Sequence, residues 1–421
     1  MSRTKSLYSQ TLAETRLWRA WHIVYTKAKN SLSSEIRRDA EQFYINDAKN
    51  IRSIQYSLSR HSFKFDKSIG IAKLKSGKKE PRPIIVGTIK NRIVQRAILD
   101  TLQEQRILKS KLLNEFSFGG ISNRGVNDAI KKVHNKILTG EAYHIRSDIK
   151  KFFDNILRDE VINLLAEDIN DNDFIELLKA ATTIELNNAK SLGSDLKFFP
   201  LDDFGVAQGN CLSPFFGNML LFNFDIEMNY NDIMCIRYID DFIIIGEKRK
   251  SVHVAFNKAQ RILKNHGLCA YDPSVDNEKS EFGPAKDGIH FLGWDLFPGR
   301  IQPNNKSRAR LIEKIKNIIS ESIIAFNYPD TIIDNKKSFL QTFSMINNTV
   351  SGWGKQYTLC NNKSILTSLD ARILNLINEY KKEYAKAINR YPQDDKSRLQ
   401  LLGLSSLAEQ HTKAHPSGMY T

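Results

Sequence analysis

The chain has 421 residues, 41% hydrophobic and 26% charged, enough for two or three packed units with ample core. Lysine and arginine outnumber aspartate and glutamate by 62 to 47, a net charge of +15, which points to a polyanionic partner, nucleic acid first. No apolar stretch approaches the roughly 18 residues of a membrane-spanning helix. Residues 1–21 lack the apolar core and cleavage site of a secretory signal, and Cys211, Cys235, Cys269 and Cys360 show no zinc-ligand spacing. The expectation is a cytoplasmic protein with reduced thiols and no membrane partner.

Residues 12–60 read as helical, with Leu17, Trp18, Trp21, Ile23, Val24, Ile36, Phe43, Ile45, Ile51 and Ile54 as apolar positions of an N-terminal extension. Next, Lys73, Lys75, Lys78, Lys79 and Arg82 surround a Ser-Gly turn that leads into an apolar strand, Ile84 to Val86. Basic side chains on both sides of one turn project together and suit phosphates; a solvated hairpin tip is the plain alternative. From Arg92 onward, Ile93, Val94, Ala97, Ile98 and Leu102 recur at helical spacing and read as core. Residues 116–125, FSFGGISNRG, form a glycine-rich loop before a helix whose apolar face is Val126, Ala129, Ile130, Val133 and Ile137. Without a Gly-Lys-Ser/Thr element the loop is not a P-loop.

Residues 143–153, YHIRSDIKKFF, read as a strand ending at Asp148. Helical segments follow around Val161, Leu164 and Leu165 and around Phe174, Leu177, Leu178 and Ala181, then an irregular excursion over 183–204. Residues 205–214, GVAQGNCLSP, read as a turn entering a helix, with Ser213 as its cap and Pro214 in its first turn. Residues 237–246, RYIDDFIIIG, sit within apolar runs and read as strand, tight turn, strand, with Asp240 and Asp241 at the tip. Adjacent acids repel, so a chain that places them there supplies a divalent cation or a cationic partner. Two other pairs, Asp202-Asp203 and Asp394-Asp395, lack that setting and read as solvated turns. Val252 to His266 reads as a helix, and Phe291 to Trp294 as strand and turn. Residues 307–324 form a helix with Leu311, Ile315, Ile318, Ile319 and Ile323 on one face and Arg308, Arg310, Lys314 and Lys316 elsewhere. Another helix carries Leu366, Leu369, Ile373, Leu376, Ile377 and Tyr380, and from Pro392 the polar tail reads as weakly ordered.

The order of a strand-terminal Asp148, Gln208-Gly209 with Ser213-Pro214, Tyr238-x-Asp240-Asp241 and Phe291-Leu292-Gly293 resembles the palm motifs of reverse transcriptases, particularly those of bacterial group II introns and their relatives. The resemblance covers roughly residues 60–380. It implies an α+β, right-hand polymerase: an N-terminal extension (1–60), fingers (61–140), a palm of antiparallel sheet with packed helices (141–300), a helical, maturase-like thumb (301–390) and a tail (391–421). It implies that Asp148, Asp240 and Asp241 are catalytic and, together with Ile149, hold two Mg2+ ions, with Mn2+ able to substitute. By the same resemblance Lys79, Arg82, Phe153, Gln208, Gly209, Tyr238 and Lys279 face the incoming nucleotide. Arg82 would meet its phosphates, the Phe153 ring would exclude a 2′-hydroxyl, and Lys279 would protonate the leaving pyrophosphate. Arg92, Gly120, Arg124, Phe291, Leu292, Gly293, Arg308, Arg310 and Trp353 would line template and primer. Residues 346–357 resemble the Asn…Gly-Trp…Tyr signature of the maturase thumb-associated domain. Two departures stand out: Ala207 replaces the usual proline before Gln208, and IIVGT stands where Gly-Ile-Pro is usual.

No zinc-ligand endonuclease segment follows the thumb, and no Val-Thr-Gly element of the retron kind is present. The expectation is a stand-alone, defence-associated bacterial enzyme that copies a structured non-coding RNA into DNA from dNTPs, extending a DNA product or primer. A maturase that only binds and folds an intron RNA is the first alternative, and an RNA-making polymerase, disfavoured by Phe153, the second. Three clustered acids favour an enzyme, because a pure binder has no use for them. The oligomeric state is left open.

Overall fold

The computed structural model describes residues 6–74, 80–138, 142–276, 278–407 and 410. The chain forms two compact units, residues 1–133 with 140–284, and residues 134–139 with 285–421.

The first unit begins with helices Leu7–Thr11, Glu14–Lys29, Ser34–Ile45 and Asp47–Ser59, which bury Leu17, Trp21, Val24, Ile51, Ile54 and Leu58 as the apolar spacing predicts. The Ser33 hydroxyl caps the third helix by accepting from the Ile36 amide, whereas Ile45, at that helix's end, faces solvent. Strands β1 (Ile69–Lys73) and β2 (Arg82–Val86) pair antiparallel, and the basic tip between them, with Lys75, Lys78 and Lys79, lies outside the described residues. Helix Ile89–Glu104 starts at a Thr88 cap and buries Ile93, Val94, Ala97, Ile98 and Leu102.

Strands β3 (Tyr143–Asp148), β4 (Met234–Tyr238), β5 (Asp241–Gly246) and β6 (Glu281–Pro284) form an antiparallel sheet in the order β4-β5-β3-β6. Phe242, Ile243, Ile244 and Ile245 are all buried, so both faces of β5 are covered, which explains an uninterrupted apolar run instead of an alternating one. Helix Arg249–Asn265 packs on β3 and β5, and Phe224, from helix Phe222–Glu227, meets Phe242 edge-on at 5.6 Å. Ser213 is not a cap: it lies inside helix Ser213–Leu220 and its hydroxyl donates to the Ala207 carbonyl at 2.7 Å, while Asn210 Oδ1 takes the Leu212 amide. The excursion over 183–204 holds a short helix (Ala189–Leu192) and a 3-10 turn (Gly193–Phe198).

The second unit contains strands β7 (Ile289–Phe291), β8 (Trp294–Phe297) and β9 (Arg300–Pro303), paired antiparallel. The β7–β8 turn has Leu292 and Gly293 at φ 48° and 87°, the positive values that a tight two-residue hairpin favours. Helices Asn305–Ala325, Phe339–Gln356 and Lys363–Ile388 follow. Tyr380 is fully buried, stacks on Phe339 at 5.3 Å and Phe326 at 5.8 Å, and shares a 2.7 Å hydrogen bond with Ser322. Tyr380→Ala is expected to cost about 3–5 kcal/mol, read as a lower urea midpoint by near-UV circular dichroism. The tail is ordered further than its polarity suggests: Asp394 caps helix Asp395–Leu402 through the Ser397 amide, and Leu401 is buried in the unit's core. Among the described residues no helix is long and apolar enough to cross a membrane. The α+β class expected from the sequence is the one adopted.

Candidate active site

Asp148 ends β3 directly opposite Asp241, the first residue of β5, and Asp240 occupies the two-residue turn between β4 and β5. The Ile149 amide donates to the Asp240 carbonyl at 3.0 Å, which binds the turn to the end of β3. The first turn residue, Ile239, has φ 62°. Glycine favours that conformation and a β-branched side chain opposes it, at a cost of about 1–3 kcal/mol.

Asp240 and Asp241, crowded beside Asp148 in one half-buried place, resist ionising. Burial and the charges of Asp148 and Asp241 push Asp240 up to about 7. Burial and Asp148 push Asp241 up to about 6, while Arg146 and Lys279 pull it back. Asp148 Oδ2 accepts a hydrogen bond from Lys279 Nζ at 2.6 Å, and among the described residues no donor reaches its buried Oδ1 with the acids ionised; the Asp240 carboxyl, when protonated, bonds to the Asp148 side chain. Burial lowers the Lys279 ammonium, but the bond to Asp148 and its charge outweigh that, and its pKa is raised. The Tyr271 ring lies 5.7 Å from the same nitrogen. Among the described residues no three acids, imidazoles or thiols converge on one point as a finished metal cage. The oxygen-only donor set and the crowding that raises Asp240 and Asp241 fit a hard divalent cation held by Asp148, Asp240 and Asp241.

A sign follows for pH. An acid raised in the folded state binds protons that the unfolded chain has released, so its stability contribution falls as pH rises from the ordinary 3.8 through about 7. Metal-free protein should therefore melt lower at pH 7.5 than the other groups would dictate, and the gain in Tm from added Mn2+ should grow over that span, measured by calorimetry. A gain independent of pH would contradict it.

Of the adjacent phenylalanines, Phe152 is core, packed where a Cβ on Gly217 would touch it at 2.7 Å, and Phe153 is half-buried. Gln208 Nε2 donates to Asp154 Oδ1 at 3.2 Å, and burial raises the Asp154 carboxyl against the opposing pull of Gln208, Lys151 and Arg82. Arg82 is exposed at the start of β2, close enough for its charge to act on Asp154. The Ile85 amide donates to the Gln208 carbonyl at 2.9 Å, and Gly209, at φ 121°, sits so close that a Cβ would lie 2.7 Å from the Ile85 carbonyl oxygen. Tyr238 is half-buried beside Asp241, its phenol raised by burial. Lys79 lies outside the described residues.

Arg92 lines a cavity of about 170 Å³ with Gln95, Lys27 and Gly209. Arg124 is spent on the loop itself, donating to the carbonyls of Asn114, Ser117 and Leu113 and lying over Phe118, and Gly120 closes against Pro214. The glycine-rich loop therefore braces the unit's interior. In the second unit, Phe291 is buried in its sheet, Leu292 and Gly293 make the turn, Arg310 is exposed, Arg308 reaches Asn305, and Trp353 packs on Tyr357 at 4.4 Å. Asp154, Tyr271, Asp225, Asn218 and Arg237 had no role in the sequence reading. Only Arg237 carried a signal, a cation within a strand whose neighbours are apolar.

The chain is 31% identical over 180 residues to an uncharacterized 91 kDa protein in cob intron of Schizosaccharomyces pombe, covering 42% of this chain and 20% of that protein. It is 26% identical over 241 residues to a putative COX1/OXI3 intron 1 protein of Saccharomyces cerevisiae, covering 56% and 26%. The matches thus span about a fifth to a quarter of those relatives. Apo telomerase from Candida Tropicalis overlaps 77% of this chain and 62% of its own, at a TM-score of 0.42 and 16% identity. The model of the family described as reverse transcriptase (RNA-dependent DNA polymerase) matches residues 72–296, more than half of the chain and a span that includes all three acids. The chain belongs to that reverse transcriptase family.

Proposed function

We propose that this chain is an RNA-directed DNA polymerase that joins deoxynucleotides through two divalent ions held by Asp148, Asp240 and Asp241. The observation that carries the reading is the pairing of Asp148 with Asp241 across β3 and β5, with Asp240 in the adjoining turn. Bound ions would activate the primer 3′-hydroxyl and offset charge on the transferred phosphoryl group. The chain's own residues do the rest. Asp240 and Asp241 would hold the ions as carboxylates, the fraction of Asp240 still protonated near pH 7 releasing its proton to water. Lys279, on a flexible stem, can leave Asp148 Oδ2 and carry the Nζ proton to the departing pyrophosphate. Phe153 bars the ribose 2′-hydroxyl, and Arg82 meets the triphosphate.

The template we infer is a structured non-coding RNA, and the setting a bacterial cytoplasm in which the DNA made protects against phage; the net charge of +15 supports a nucleic-acid template and the intact acids support synthesis, while the setting rests on the elimination of intron-mobility and retron elements in the sequence. Purified protein with its co-purifying RNA, Mg2+ and labelled dNTPs or NTPs tests the chemistry: DNA is expected, and RNA or no product overturns it. Loss of phage protection with Asp240→Ala/Asp241→Ala tests the setting, and retained protection removes it. The intron-encoded relatives favour a second reading, an RNA-binding maturase, for which RNA binding and splicing would persist in that double variant.

A further inference from the structure

Arg237 on β4 is fully buried, and its guanidinium is saturated. Its Nε and Nη2 each donate to a different oxygen of Asp225 at 2.6 Å, Nη2 also donates to Ser117 Oγ at 3.0 Å, and Nη1 donates to Asn218 Oδ1 at 3.1 Å. The fifth bond runs from Nη1 to the carbonyl of Ile239 at 2.9 Å. That carbonyl belongs to the residue held at φ 62°, immediately before Asp240. The glycine-rich loop closes the other side: Asn218 Nδ2 donates to the Gly119 carbonyl at 2.9 Å, and a Cβ on Gly119 would stand 2.7 Å from the Ile239 nitrogen. A buried ion pair is poor value for stability alone, since apolar residues of similar volume often serve as well or better. Here the fork joins a strained turn to three separate segments.

We propose that Arg237 is the positioning residue of the acid pair: anchored by Asp225 and Asn218, it holds Ile239 in its left-handed conformation and so fixes where Asp240 and Asp241 stand. This rests on the polymerase reading, and its test separates the two. Arg237→Met with Asp225→Leu removes both buried charges together, so the fold is kept while the Ile239 carbonyl loses its donor. Expected are an unmoved dNTP KM and a kcat lower by about 100-fold, the scale of a misplacement of about 1 Å. Adding Ile239→Gly, which accepts positive φ freely, should recover a large part of kcat, a rescue that a merely structural role would not give. Mn2+ binding, followed by electron paramagnetic resonance, should weaken in the Met/Leu variant and recover with the glycine. If the parent chain makes no DNA but its Mn2+ affinity still falls on removing the fork, the polymerase reading fails and the positioning role stands. Should the Met/Leu variant misfold, Asn218→Ala keeps the charges paired; it should lower the Tm by a few degrees, for the buried partners it leaves unsatisfied, and lower kcat and Mn2+ affinity in the folded protein at 25 °C, which Ile239→Gly should again recover. A folded variant of either kind with the parent's kcat and Mn2+ affinity overturns the proposal.

Discussion

Asp240→Asn should abolish measurable DNA synthesis and, at neutral pH without metal, raise the melting temperature. The two effects share one cause. In the parent, Asp240 is pushed up to about 7 by burial and by Asp148 and Asp241, so ionising it at pH 8 works against the fold. Asparagine removes that charge at nearly constant volume. Discounted for partial solvent exposure, the relief is on the order of 1–2 kcal/mol, a rise of a few degrees. The gain should vanish toward pH 4, where Asp240 is protonated in any case. Synthesis falls for the same reason, because the charge that strains the free protein is the one that divalent ions need. A loss of several kcal/mol of transition-state stabilisation is a rate lower by about a thousand-fold or more. Primer extension and calorimetry on the same preparations check both arms, and a variant that is inactive and less stable would show that the acids are not crowded as described.

The second large effect concerns the sugar. Phe153→Val should leave dNTP incorporation within a few-fold of the parent and raise the use of ribonucleotides by about 100-fold or more, because steric exclusion of a hydroxyl is lost with the ring. Phe152→Val is the control. That ring is buried against Gly217, so its loss should cost stability without changing the choice of sugar. Competition between labelled dCTP and CTP separates the two. Equal selectivity in parent and Phe153→Val would remove the gate from Phe153.

The acids were legible in the sequence because two apolar runs of strand length flank Asp240-Asp241 and a third ends at Asp148, and antiparallel pairing then brings the ends together. Of the other two aspartate pairs, Asp202-Asp203 forms the exposed bend expected, its backbone carbonyls accepting from Arg158, whereas Asp394-Asp395 is not a turn: Asp394 caps a helix that Asp395 begins. Ser213 was misread because a serine before a proline signals a cap on local grounds, whereas its hydroxyl is claimed by Ala207, six residues earlier. The Arg237 fork was invisible for a related reason: its partners lie 12, 19 and 120 positions away, and no local pattern marks such a set. The helix after Asp394 escaped notice because one buried leucine, Leu401, leaves little periodicity to read.

One backbone hydrogen bond has a mechanical consequence. Because the Ile85 amide is tied to the Gln208 carbonyl, and Gly209 leaves no gap at that seam, the strand carrying Arg82 and the loop carrying Gln208 travel as one leaf. Whatever tilts β2 tilts the Gln208 side chain beside Asp154 with it, so under the proposed reading the contacts of Arg82 with phosphate and of Gln208 with the nucleotide would tighten or slacken in step.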